Sequence, residues 1–198
     1  MKWRPANTGK RTVEGKNKMG KKNNINYLPL FASSPYYSKK EFQFPITAVN
    51  KTVTDTSVLK NNSGITLLYI RDGRGTIIVN TRKYPVHKGL LMVLGAYHYY
   101  QVQPGEVPLE LTKCRLSYDT FLYMAANPYY RFSEVRLNVD PITCLLEGRM
   151  LIRTEQVIDE LVAATAKHKH QGGETEFFLC MKLMGIMQKT YNNDIWKK

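Results

Sequence analysis

The residues of this chain that could do chemistry are four histidines, three cysteines and a set of tyrosines and cations spaced along short apolar runs. A metal on a β-scaffold needs histidines and carboxylates gathered at strand spacing. His168 and His170 stand two apart and cannot share a helical face, which leaves His87 and His98 in the β-rich half. Neither belongs to a His-x-His pair, and neither is followed within a few positions by an acidic residue. No metal site is expected, and no cofactor. Ser117 and Cys114 lie close to Asp119, but no nucleophile elbow or base partner accompanies them, so no catalytic residue is assigned. Asp72-Gly73-Arg74-Gly75 falls between two strand-like runs and opens no helix. It reads as a hairpin turn, not a phosphate loop.

Ligand binding without chemistry fits the inventory better. Tyr69 and Arg71 are two apart on one run and face the same way. His98 and Tyr100 share one face of the next, with Tyr97 and Tyr99 on the other. Further on, Leu109, Leu111, Lys113 and Arg115 alternate with Glu110, Thr112, Cys114 and Leu116. A pocket needs apolar walls and a few directed polar groups, and Tyr69, Arg71, His98, Tyr100 and Lys113 supply them. On residue type alone, tyrosines that fill a core beside cations in solvent fit equally well.

The elements that must position these residues follow from the turn signals. Ile46 to Thr54 alternates and predicts a first strand, with Asn61-Asn62-Ser63-Gly64 a turn. Ile65–Arg71, Thr76–Asn80, Lys83–His87, Leu90–Leu94, Tyr97–Val102 and Pro108–Leu116 predict six more strands, punctuated by glycine and proline. Strands this short and closely spaced predict an antiparallel barrel or sandwich. Thr120–Ala126 reads as a helical turn ended by Asn127-Pro128, and Ser133–Leu137 and Leu146–Ile152 as outer strands. Thr154 reads as an N-cap, with Glu155 and Asp159-Glu160 near the positive end of a helix running to about Lys169. Gly172-Gly173 stops it, and a second helix spans Glu174 to about Asn192. Phe177, Cys180, Met181, Met184, Met187 and Tyr191 form its apolar stripe.

Composition bounds the rest. The formal charge of +13 is uneven: residues 1–24 hold eight lysines and arginines against Glu14 alone. That tail is poor in apolar residues and predicts disorder. No aromatics interleave with its charges as a nucleic-acid stacking platform would require. Cys114, Cys144 and Cys180 are far apart and odd in number, which favours a reducing compartment over secretion. No signal peptide and no membrane-length apolar run is visible, so the glycosylation-type triplets at Asn50 and Asn61 read as chance. Four segments result: a basic tail over 1–24, an aromatic and proline-rich arm over 25–45, a barrel over 46–140, and an outer strand with helices over 141–198.

The order of the β-rich steps resembles the cupin-type sensor domain of AraC-family transcription regulators. Tyr84-Pro85-Val86-His87-Lys88-Gly89-Leu90-Leu91, His98-Tyr99-Tyr100 and Leu116-Ser117-Tyr118-Asp119 match successive steps of that family, and the resemblance spans roughly residues 28–192. The segment between Gly89 and His98 is shorter than usual, lacks the usual proline, and has Leu90 in place of an aspartate. The resemblance implies a mainly β fold, a cupin-like antiparallel barrel (jelly roll) followed by an antiparallel helical hairpin. It implies a cytoplasmic, bacterial, non-catalytic sensor that takes a small molecule, a sugar among the options, in the barrel. Arg71 would then sit where a sugar-binding relative places an arginine on its ligand, and the arm would cover the pocket or the DNA-binding part. The stripe Phe177, Met181, Met184, Met187 and Tyr191 would pair in a homodimer, burial within one chain being the alternative. DNA would be reached through a helix-turn-helix part expected beyond Lys198. The alternatives from other classes are a stand-alone metal-dependent cupin enzyme acting on a sugar or small acid, and a basic scaffold binding nucleic acid through residues 1–24.

Overall fold

The computed structural model describes residues 46–61, 64–125, 137, 139–167 and 174–195. The tail and the arm (residues 1–45), most of the predicted strand Ser133–Leu137, and His168 and His170 lie outside the described residues. Eight strands come first: β1 (Ile46–Val53), β2 (Lys60–Asn61), β3 (Ile65–Asp72), β4 (Arg74–Val79), β5 (Arg82–His87), β6 (Leu90–Leu94), β7 (Tyr99–Pro104) and β8 (Leu109–Leu116). Helix α1 (Tyr118–Ala125), strand β9 (Ile142–Leu145) and helices α2 (Gly148–Lys167) and α3 (Glu174–Ile195) follow.

The strands form two antiparallel sheets in the orders β1-β8-β3-β6-β9 and β2-β7-β4-β5. The first sheet is covered on both sides, which is why β3 reads Ile-Thr-Leu-Leu-Tyr-Ile with every one of these residues buried and no polar alternation. Its inner face gives Leu68, Ile70, Met92, Leu94, Leu109 and Leu111 to a core shared with Ile77, Val79, Val86, Tyr100 and Val102 of the second sheet. Its outer face gives Leu67, Tyr69, Leu91, Val93, Cys114 and Leu116 to a second core under the helices.

Turn chemistry sets the corners. Gly73 takes a φ of +86°, and a side chain there would meet the Pro108 carbonyl. The glycine was expected to close a hairpin. Instead β3 and β4 lie in different sheets, and Asp72-Gly73 is the crossover between them. The true hairpin joins β4 to β5 through Asn80 and Thr81, both at positive φ, the signature of a tight two-residue turn. The Asn80 carboxamide oxygen accepts from the Tyr99 amide and ties this turn to β7. Ser117 caps α1, its hydroxyl accepting from the Thr120 amide at 3.0 Å.

Helix α2 starts six residues earlier than its predicted N-cap, and the segment expected to form a strand at Leu146–Ile152 mostly belongs to it. Thr154 lies inside the helix, fully buried, and its hydroxyl donates back to the Met150 carbonyl. The outer strand is β9, which pairs with β6 just before the helix. Helices α2 and α3 pack on each other and on the outer face of the first sheet. The stripe expected to join two copies is largely used within the chain. Met184 and Met187 are 4% and 1% exposed, Phe177 is buried, and Met181 is half-buried against the same core. The Tyr191 side chain lies outside the described set. The physical reason is that the first sheet exposes an apolar outer face of its own, and the stripe of α3 is what covers it. Met187→Ala is therefore expected to lower stability by about 2–5 kcal/mol. Urea unfolding should show the same loss at low and high protein concentration, because the methionine is buried by its own chain.

Candidate functional site

The five predicted ligand residues divide between the two faces of the first sheet. Leu68 and Ile70 point inward on β3, so Tyr69 and Arg71 point outward, toward α2. The Tyr69 hydroxyl donates to Glu155 Oε1 at 2.8 Å. Burial, then that hydrogen bond to Glu155, raises its pKa well above the usual tyrosine range. Arg71 reaches Asp159 Oδ1 through Nη2 at 2.5 Å, and Thr112 Oγ1 and Asn50 Oδ1 through Nε. The Thr112 hydroxyl in turn donates to Asn50 at 2.7 Å. Tyr69 and Arg71 thus clamp the sheet to α2 and do not line the space between the sheets. The sequence could not assign the face, because both faces of β3 are apolar.

Tyr100 and Lys113 meet on the other side, and His98 lies in the turn before β7. Tyr100 is 1% exposed in the core between the sheets, and the Lys113 ammonium donates to its hydroxyl at 2.7 Å. Tyr97 and Tyr99, assigned to the opposite face, are both exposed. His98 is fully buried, and its Nδ1 accepts from the Gly95 amide at 3.0 Å, which places the ring proton on Nε2. Burial holds this histidine below its ordinary range, against the opposing pull of the Val139 backbone and Asp140.

Sequence reasoning left out three cations around Lys113. Arg115 shares the inward face of β8 and lies opposite Thr66 of β3 in register. Lys60 of β2 is paired with Tyr100 of β7. Lys51 comes from β1, at the edge beside β8. Burial first, and then Arg115, Lys60 and Lys51, push the Lys113 ammonium down to about 7. The signal was present: β8 places two cations on the face that carries Leu109 and Leu111, where an apolar run would continue. At the other end of the strands an open groove of about 910 Å³ runs between Gly73, Arg74, Pro85, His87 and Glu106.

Nothing in this arrangement points to a nucleophile. Burial pushes the Cys114 thiol up to about 12, and Ser117 is spent on capping α1. Among the described residues no group of three or more histidines, cysteines or carboxylates comes together, and no helix is long and apolar enough to cross a membrane.

The fold and the inward basic site define a cupin-like two-sheet domain with C-terminal helices. No family model matches the chain, and no curated protein matches it by sequence. Among solved structures the chain is similar to apo ToxT K231A from Vibrio cholerae, with a TM-score of 0.52 at 7% identity over 75% of this chain and 58% of that one. ToxT from the same organism with an unsaturated fatty acid bound gives 0.48 at 10% identity over 75% of this chain and 54% of that one. A cupin protein from Bacteroides fragilis gives 0.33 at 10% identity, over 44% of this chain and 70% of that one. The chain therefore spans a little over half the length of ToxT, and the likeness is one of fold.

Two outcomes are expected from the site. Arg71→Ala should lower stability by about 1 kcal/mol in urea unfolding, since it removes hydrogen bonds to Thr112 and Asn50 as well as the ion pair. Lys113 holds its proton less tightly folded than unfolded, so its charged form opposes folding fully below about pH 7. That cost fades as pH rises toward the ordinary lysine range, and its contribution to stability rises with it. Lys113→Met should remove this rise, visible as a flatter profile of melting temperature between pH 7 and 10.

Proposed function

We infer that this chain is the effector-sensing domain of an AraC-type transcription regulator, and that a small molecule enters between the two sheets at the Lys113–Tyr100 end. One observation carries the reading: an ammonium and a phenol hydroxyl are hydrogen-bonded to each other between the two sheets, beside the apolar core that the sheets share. A few directed polar groups among apolar walls is the composition of a ligand site. The order of the β-steps in the sequence supports the family, and the likeness in fold to ToxT fits it. ToxT structures carry an unsaturated fatty acid or a naphthalenyl butenoic acid, so a small organic ligand suits a fold of this kind.

Tyr100 and Lys113 hold the ligand in this reading, and His98 backs them from the turn before β7. Tyr69 and Arg71 have a different task. Lys113 faces the ligand while its neighbour Thr112 faces outward to Arg71, which holds Asp159 of α2. A ligand that binds better to one placement of β8 against α2 shifts the population of the helices by that difference in affinity. The output is DNA binding through a helix-turn-helix domain of the cytoplasmic regulator. A homodimer would form through the solvent side of the helical pair, where Ile152 and Phe178 are exposed, and not through Met184 and Met187.

Thermal-shift screening of a small-metabolite panel tests this. The expected outcome is a ligand that raises the melting temperature of the full chain and binds about tenfold more weakly to Tyr100→Phe and to Lys113→Met. Turnover of that ligand, or its dependence on a stoichiometric bound metal, would replace the sensor with an enzyme.

A further inference from the structure

We propose that His98 is a proton-operated latch: its neutral ring fastens the crossover from β6 to β7, and a second proton on that ring releases it. This role is separate from ligand sensing and holds whether or not the chain is a sensor.

The crossover is where the latch acts. β6 lies in the five-stranded sheet and β7 in the four-stranded one, so Gly95-Ala96-Tyr97-His98 carries the chain from one sheet to the other. The backbone closes this turn once, the His98 amide donating to the Gly95 carbonyl at 3.2 Å. The ring closes it a second time, Nδ1 accepting from the Gly95 amide at 3.0 Å. His98 is fully buried, although Tyr97 and Tyr99 on either side of it are exposed. The Tyr99 amide donates to Asn80, and Tyr100 follows in the inner core. Whatever happens to the ring therefore reaches the first residues of β7 directly.

Hydrogen-bond chemistry makes this contact incompatible with charge. A ring nitrogen that accepts carries no proton, so the one proton of the neutral imidazole is on Nε2. A second proton can go only to Nδ1, where it would face the Gly95 N–H, donor against donor. The other nitrogen gives no relief. Nε2 is buried and makes no hydrogen bond, the Val139 backbone being near it but not placed to accept. Burial opposes the charged ring more than Val139 and Asp140 favour it. The site thus holds an imidazole and cannot hold an imidazolium without leaving buried donors unpaired.

An acceptor for the released ring lies close by. Asp140 is the charged group whose field acts on His98 among the described residues. It stands just before β9, half-exposed, and is paired with Arg82 of β5. The turn itself contributes only tyrosines and backbone. An imidazolium that leaves the turn meets this carboxylate in water, in competition with Arg82. Since β9 leads within a few residues into α2, the latch stands between the strand that carries Tyr100 and the segment that feeds the helices.

The direction of the pH effect follows. The folded ring holds a proton less tightly than the ordinary histidine value of 6.5. Stability from the latch is whole above that value and falls away as pH drops from it toward the lower value of the folded ring.

Three measurements on the full chain between pH 7.5 and 5 test the latch: an NMR titration of the His98 ring, hydrogen exchange at the Gly95 amide, and urea unfolding. At pH 7.5 the ring is expected as the Nε2–H tautomer with the Gly95 amide protected. Below pH 6.5 the unfolding constant should rise by up to about tenfold per pH unit, and Gly95 protection should fall as the ring charges. His98→Asn keeps an acceptor at the place of Nδ1 and takes no proton, so it should hold Gly95 protected and flatten the acid profile. Asp140→Asn should move the release to lower pH. If His98→Asn follows the wild-type profile, the latch is wrong. If His98→Asn does not fold, the wild-type chain decides alone: an Nδ1–H tautomer at pH 7.5, or a ring that charges while Gly95 stays protected, overturns the proposal.

Discussion

The burial of both faces of one five-stranded sheet is the constraint on which the rest of this molecule depends. Its inner face must meet a second sheet, and its outer face must meet helices, so the chain builds two separate cores on opposite sides of the same strands. Each buried leucine, isoleucine or methionine contributes roughly 1.5–3 kcal/mol to that arrangement. Neither core is optional. Without α2 and α3, Leu67, Leu91, Val93 and Leu116 would form an exposed apolar sheet face, the kind of surface that associates or aggregates. The helices are thus part of the β-domain's own stability, whatever further contact they make with another molecule.

The same constraint explains how polar groups divide. A strand buried on both sides can carry a polar residue only where it finds a partner or reaches an edge. On the outer face Tyr69 and Arg71 find Glu155 and Asp159 on α2, with Thr112 and Asn50 completing the cluster. On the inner face Lys113 donates to Tyr100, and burial together with Arg115, Lys60 and Lys51 weakens its hold on its proton. The outer cluster is mechanical, tying the sheet to α2.

Much of this was legible in the residues. Glycines and apolar runs marked the strands, and the stripe from Phe177 to Met187 marked a helix with one apolar face. Three kinds of question were not legible. Local turn chemistry asks for a residue at positive φ, and Gly73 supplies it equally for a hairpin or for a crossover between sheets, so pairing could not follow from it. Periodicity groups residues by face but does not name the face. Tyr69 and Arg71 were correctly placed together and Tyr100 correctly placed away from Tyr99, yet the side of β3 toward the ligand space could not be read from Ile65–Ile70, which is apolar throughout. The stripe of α3 had the same ambiguity: spacing shows that it is buried, not against what. Thr154 shows a third limit. Its hydroxyl suits an N-cap and suits a bond back to the Met150 carbonyl, and the apolar Met150 and Leu151 decided for the helix.

Strand β8 is where the two halves of the molecule meet. Its odd residues face the space between the sheets and its even residues face the helices, so Lys113 and Thr112 are adjacent in the chain but belong to different cores. A displacement of Lys113 is transmitted to Thr112 through one peptide bond, and from there to Arg71 and Asp159 by hydrogen bonds. Tight packing in both cores leaves such a strand few intermediate positions. The coupling runs both ways, since the free energy that links two sites is shared by both. Whatever holds α2 in place must then alter the setting of Lys113 as much as a ligand on Lys113 alters α2.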